Sequence, residues 1–238
     1  MFIYSPDQKS GEDLYPAVIF FFGGGWVNGN VGQFAPNCKH LSNKGVIGIT
    51  AQYRIKSKHN TTPQDAMEDA KSAIRWVREH AEEYRIDPSR IAAGGGSAGG
   101  HLAACTGLVP GFENDQENLQ VSSRPDAMIL FNPVVKIPPF SERFGGDENG
   151  MKASPYNFVS ENAPPCIIFH GTHDTLVDKD DILEFQNKMK LNGNYCEVVL
   201  FGDQGHAFFN TNRSNGRYYK MTVVLMDVFL AEQGYLMK

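Results

Sequence analysis

Short apolar runs alternate with segments of helical period along most of the chain. Runs of strand length occupy Ala17–Phe22, Val46–Ala51, Arg90–Ala93, Ala127–Phe131, Cys166–His170 and Tyr195–Phe201. Most are continuously apolar rather than alternating, as expected of strands covered on both faces. Between the second and third, Thr62 can cap a helix, Pro63 suits its first position and Asp65 completes a capping box. Ala66, Ala70, Ala73, Ile74, Val77, Ala81 and Tyr84 then form one apolar stripe, which Asp87-Pro88 is expected to stop. Further helices are expected after Ser97, over Lys179–Leu191 and over Arg217–Glu232. The last should turn Met221, Val224, Leu225, Val228 and Phe229 inward. This alternation predicts an α/β fold: a mostly parallel sheet with helices on both faces, in one domain over residues 1–238.

Two segments break the alternation. Gly111–Pro125 is polar and reads as a surface loop. The stretch 133–165, with prolines at 133, 138, 139, 155, 164 and 165, has no clear period. A long irregular insertion after a strand's C-terminal end is expected to form a rim over a site. Phe2–Tyr4 resembles the end of a strand, so an expected first N-terminal strand is missing and the chain reads as a module of a longer enzyme.

Composition narrows the function classes. The 238 residues are 41% hydrophobic and 21% charged, too apolar for a disordered chain. With 22 basic against 27 acidic residues, a nucleic-acid partner or an anionic membrane surface is not expected. No apolar run reaches the ~18 residues of a membrane span, and no signal peptide is recognisable. Cys105 and Cys166 lie in apolar segments and are expected to be buried free thiols; Cys38 and Cys196 complete a set without close spacing. Sequons at Asn60 and Asn212 leave the compartment open, and nothing indicates an oligomeric state.

The chemistry concentrates at Gly94-Gly95-Gly96-Ser97-Ala98-Gly99-Gly100, where a strand meets an alanine-rich helix. Gly95 to Gly99 satisfy G-x-S-x-G. An abrupt strand-to-helix turn strains the central residue, and small neighbours prevent clashes. The serine hydroxyl is then exposed above a helix N-terminus that favours developing negative charge. A glycine-rich turn with a capping serine would look the same. Gly94, Gly96 and Gly99 also match G-x-G-x-x-G, but this is not a first strand–helix unit and the next strand ends in Asn132-Pro133 rather than an acid.

A serine nucleophile needs a base, and the base an orienting carboxylate. The strand Cys166–His170 runs into Gly171-Thr172-His173-Asp174, and Tyr195–Phe201 into Gly202-Asp203-Gln204-Gly205-His206. Parallel strands place such loops on one rim, so Ser97, Asp174 and His206 should converge, in the chain order Ser…Asp…His. His173 is a poorly placed neighbour of Asp174, and Asp178 is a second candidate acid. His101 is expected to pack, Asp203 to shape its turn, and His170 with His173 and Asp174 forms only a weak metal pattern. After the first long strand, Gly23-Gly24-Gly25-Trp26 offers bare backbone N–H groups which, with that of Ala98, could hold a tetrahedral oxyanion.

These motifs resemble the α/β-hydrolases, specifically the esterase group with an H-G-G-G-W loop and a G-x-S-A-G-G elbow. Gln52-Tyr53-Arg54, Asp87-Pro88-Ser89-Arg90-Ile91, His170-Gly171-Thr172-His173-Asp174 and Gly205-His206-Ala207-Phe208-Phe209 extend the resemblance over nearly the whole chain. It is most similar to the bacterial carbohydrate-esterase and feruloyl-esterase-like (BD-FAE-type) branch, whose members are often secreted. The resemblance implies a triad of Ser97, Asp174 and His206, oxyanion donors at Gly24, Gly25 and Ala98, substrate contact at Trp26, and no metal or organic cofactor. Phe22 stands where many relatives have His, which removes a side-chain hydrogen bond to the loop. The short segment between Phe131 and Cys166 leaves no room for a large lid. An open site suits acetyl or feruloyl esters on carbohydrate better than long-chain lipids. A peptidase or arylformamidase on the same scaffold is the alternative, and a non-catalytic ligand-binding homologue a remoter one.

Overall fold

Each of the six apolar runs becomes a strand; those inside the sheet find a covering layer on both faces, whereas the last, at the sheet edge, leaves Leu200 exposed. In the computed structural model, which describes residues 1–7 and 14–236, seven strands form one sheet. They are β1 (Phe2–Tyr4), β2 (Tyr15–Phe21), β3 (Ile47–Ala51), β4 (Ile86–Gly96), β5 (Ala127–Phe131), β6 (Cys166–Gly171) and β7 (Cys196–Phe201). Their spatial order is β1-β3-β2-β4-β5-β6-β7. β1 pairs antiparallel with β3, and every other neighbouring pair is parallel. The helices are α1 (Ala35–Ser42), α2 (Lys56–His59), α3 (Pro63–Glu79), α4 (Ala81–Tyr84), α5 (Ala98–Leu108), α6 (Asp147–Lys152), α7 (Lys179–Leu191) and α8 (Arg217–Glu232).

Alternate residues of β2 serve two cores, as the period of a strand requires. Ala17, Ile19 and Phe21 pack in the layer that holds α3, α5 and α7. Val18 and Phe20 pack on the other side, with Cys38 and Leu41 of α1 and Met226, Phe229 and Leu230 of α8. All four cysteines are buried free thiols. No helix among the described residues is long and apolar enough to cross a membrane.

Three expectations need correcting. The stripe ending at Tyr84 is two helices: His80 leaves helical geometry at φ −100°, ψ 19°, with its ring Nδ1 on the Trp76 carbonyl at 2.8 Å. The stop is Arg85, in the left-handed region at φ 57°, whereas Asp87-Pro88 lies on β4. The segment 133–165 is not irregular throughout: it contains 3₁₀ turns at Pro138–Phe144 and Pro155–Phe158, and α6. Finally, α8 has the expected bounds but a different inward face. It buries Thr222, Val223, Met226, Phe229 and Leu230 and leaves Met221, Val224 and Val228 exposed. The helix is apolar around most of its circumference, so periodicity allows either stripe. Thr222 tolerates burial because its hydroxyl donates to the Tyr219 carbonyl at 3.0 Å.

Candidate active site

The turn from β4 into α5 is set by backbone contacts that exclude side chains. A Cβ at Gly95 would overlap the Gly99 carbonyl, and one at Gly99 would overlap the Phe21 and Phe22 carbonyls. Between them Ser97 adopts φ 54°, ψ −119°, a conformation that costs on the order of 1–3 kcal/mol and persists only where the surroundings enforce it. Its N–H donates to the Phe131 carbonyl and its carbonyl accepts from His101, both at 2.9 Å.

Ser97, His206 and Asp174 form one hydrogen-bonded chain. Ser97 Oγ lies 2.8 Å from His206 Nε2, and His206 Nδ1 lies 2.7 Å from Asp174 Oδ2. The other carboxylate oxygen accepts the N–H groups of Leu176 (2.9 Å) and Val177 (3.1 Å). Burial alone would raise the Asp174 pKa. The hydrogen bonds from His206, Val177 and Leu176 outweigh it and hold the carboxyl below the usual range. Behind it, His170 is fully buried, with Nε2 donating to the Val177 carbonyl at 3.1 Å. Burial depresses its pKa more than nearby Asp174 restores it.

The competing side chains lie elsewhere. His173 is exposed, 3.5 Å from the still more exposed Asp203, and Asp178 caps α7 by accepting from the Asp180 N–H. His101 is buried, with Nε2 against the Ala153 carbonyl at 2.8 Å and its ring edge-on to Trp26.

The glycine loop after β2 is braced in a way the sequence did not reveal. Gly23 N–H donates to Gln33 Oε1 (2.7 Å), and Gln33 Nε2 donates to Asn210 Oδ1 (2.9 Å). Asn210 Nδ2 in turn donates to the Ala207 carbonyl at 3.2 Å, beside His206. Phe22 stacks on Tyr53 at 4.2 Å, and the Tyr53 hydroxyl donates to the Phe22 carbonyl at 2.7 Å. These contacts brace the loop in the absence of a His side chain. Gly24 and Gly25 have φ of 136° and 63°. Their N–H groups, and that of Ala98 at the start of α5, meet no acceptor among the described residues.

Gly24, Gly25, Ser97 and His206 open into a cavity of about 460 Å³. Its walls are mainly apolar, from Trp26, Val134, Phe140, Leu176, Val177 and Phe209, with Gln33, Asn132 and Arg143 as polar members. Trp26 is almost fully buried, edge-to-face with Phe140 and Phe144, so only part of its ring meets the cavity. Sequence reasoning missed Gln33, Asn132 and Arg143. Asn132 carried a usable signal: like Asp174 and His206 it follows the C-terminal end of a strand. Its Oδ1 accepts the Ala207 N–H at 3.0 Å and so fixes the loop of His206. Gln33 and Arg143 belong to no local pattern.

A parallel sheet whose fourth strand ends in a strained serine, hydrogen-bonded to a histidine from the last strand's loop, defines the α/β-hydrolase class. Known proteins agree with that class. Residues 1–142 match the BD-FAE family and residues 126–225 the dienelactone hydrolase family. The chain belongs to the BD-FAE family of α/β-hydrolase serine esterases. It is similar to esterase 2 of Thermogutta terrifontis, whose paraoxon-phosphorylated structure is 45% identical, with a TM-score of 0.95 over 99% of this chain and 89% of that one. The propionate-bound form of that esterase is 43% identical, again with a TM-score of 0.95, covering 100% and 90% of the two chains. A probable carboxylic ester hydrolase of Mycobacterium tuberculosis, LipM, is 34% identical over 91% of this chain and 54% of its own length. The chain spans about half the length of the curated relatives it matches.

Proposed function

We propose that residues 1–238 act as one catalytic unit that hydrolyses carboxylic esters through Ser97, His206 and Asp174. The observation that carries this is the unbroken chain from Ser97 Oγ through both ring nitrogens of His206 to the Asp174 carboxylate. Ser97 Oγ attacks the ester carbonyl while His206 Nε2 takes its proton. Asp174, kept ionised by its hydrogen bonds, holds the His206 Nδ1–H tautomer and stabilises the imidazolium. The tetrahedral oxyanion is bound by the N–H groups of Gly24, Gly25 and Ala98, each worth roughly 3 kcal/mol of barrier. Collapse expels the alcohol, which receives the proton from His206 and leaves an acyl-Ser97. Water, deprotonated by His206, then attacks the acyl-enzyme and releases the acid.

The acyl group is short (acetyl) or of feruloyl type, and the alcohol is a carbohydrate. A rim of short helical turns with no large lid supports this reading, and the propionate bound in the similar Thermogutta esterase supports its short acyl group. The test is an ester panel containing acetylated xylan, methyl ferulate and p-nitrophenyl esters of increasing chain length, run beside Ser97→Ala. The variant should lose on the order of 10⁶ in kcat, as other triads do, and paraoxon should phosphorylate the wild type but not the variant. Wild-type-like turnover by Ser97→Ala overturns the mechanism. Activity that rises with chain length beyond about C8 overturns the substrate class, since an open pocket offers a long acyl chain little surface to bury.

A further inference from the structure

Building on the assignment of Ser97 as nucleophile, we infer that Arg143 makes the site select esters carrying a carboxylate close to the scissile bond. Among the residues lining the cavity, Arg143 alone bears a permanent charge. Its Nη1 donates to the Gly25 carbonyl at 2.9 Å, which places the cation on the loop whose N–H groups face the reacting carbonyl. A Cβ at Gly25 would overlap that same nitrogen, so the glycine leaves the space the guanidinium occupies. The group also lies 5.9 Å from the Phe140 ring centroid.

What Arg143 lacks is an anion. Arg54, Arg75, Arg78 and Arg90 each hold a carboxylate within ion-pair distance. No carboxylate among the described residues does so for Arg143, nor for Arg124, Arg213 or Arg217, but of these four Arg143 alone lines the cavity. The chain as a whole carries a formal charge of −5, so an unneutralised cation at the mouth of the site does not follow from general basicity. One bond to a neutral carbonyl leaves the far edge of the guanidinium with unused donors. That edge matches a carboxylate, which it can bind through two parallel N–H···O bonds. The rim is exposed to solvent, so the preference is moderate and sensitive to salt.

The test compares esters of like shape with and without the charge. Mono-4-nitrophenyl glutarate against 4-nitrophenyl pentanoate puts the carboxylate on the acyl side, and acetoxyacetate against propyl acetate puts it on the alcohol side. For each pair the anionic-to-neutral ratio of kcat/KM is measured within one protein, so any general loss from disturbing Gly25 cancels. Arg143→Gln and Arg143→Ala should lower the ratio about 5- to 10-fold on one side, which identifies where the carboxylate sits. Arg143→Lys should retain part of it. In the wild type the same ratio should fall as sodium chloride rises from about 20 mM to about 0.5 M, a readout that needs no variant to fold. Ratios that move with neither the substitutions nor salt, on both sides, overturn the inference. Failure of the wild type to hydrolyse even the neutral esters would instead reject the esterase mechanism beneath it.

Discussion

A methyl group added at Gly99 would overlap the carbonyls of Phe21 and Phe22, whereas Arg143 reaches the glycine loop through one hydrogen bond to Gly25. Arg143 lines the cavity directly, and Gly99 lies buried behind Ser97 in the elbow that forms another of its walls. The first wall is the carboxyl edge of the sheet, where backbone presses on backbone and the strained Ser97 is held at both its N–H and its carbonyl. The second is the turn Pro138–Phe144. It is attached by Arg143, by Gln64 Nε2 donating to the Phe144 carbonyl at 2.8 Å, and by the contacts of Phe140 and Phe144 with Trp26. Chemistry that tolerates little displacement sits where the backbone leaves no alternative. The proposed recognition by Arg143 rides on a side chain that can change without disturbing the sheet.

Substitutions on each wall should separate in size. Asp174→Asn keeps the shape but supplies the wrong partner for His206 Nδ1, and kcat should fall about 10⁴-fold with the melting curve little changed. Gly99→Ala should destabilise the fold by about 3 kcal/mol or more in urea titration, since the neighbours it meets are backbone atoms on a central strand. A loss under about 0.5 kcal/mol would erase the distinction between the walls.

Gln33→Ala frees the Gly23 N–H from its only side-chain brace and should cost about 10- to 100-fold in kcat, a part of what losing an oxyanion donor costs. KM should change far less.

His101 joins the walls, its ring edge-on to Phe144 and its Nε2 against the Ala153 carbonyl, and burial depresses its pKa from 6.5 to about 4. The unfolded chain therefore binds more protons between those values. The His101 contribution is whole above pH 6.5 and is lost as pH falls towards 4, at up to ~1.4 kcal/mol per pH unit. Denaturation series from pH 7 to 4 should show this slope, flattened in His101→Gln. The Asp174 contribution persists to lower pH, being lost only as its depressed pKa is approached. Smallest of all, Phe140→Ala should shift KM a few-fold, in keeping with a partly exposed aromatic contact, and leave urea stability within about 1 kcal/mol.

Much of the carboxyl edge was legible in advance. The bounds of α7 and α8, the capping box at Thr62 and Asp65, and the strands at Ala127 and Cys166 follow from short-range periodicity and capping. The elbow was legible because its glycines answer a steric demand within a few residues, and Asp174 and His206 because parallel strands deliver their following loops to one rim. The rim was not legible: 3₁₀ turns have no strong apolar period, and proline-rich sequence looks irregular whether or not it is folded.

The sequence by itself determined the order of the six long strands and of α3, α5, α7 and α8, the serine turn and which loops can meet there, since each depends on neighbours in the chain or on a general rule of parallel sheets. Tertiary structure alone decided the inward face of α8, the break at His80, the bracing of Gly23 by Gln33 and the seat of Arg143 on Gly25. Those outcomes are choices among locally equivalent options. The deciding energy comes from a partner many residues away, which no local pattern records.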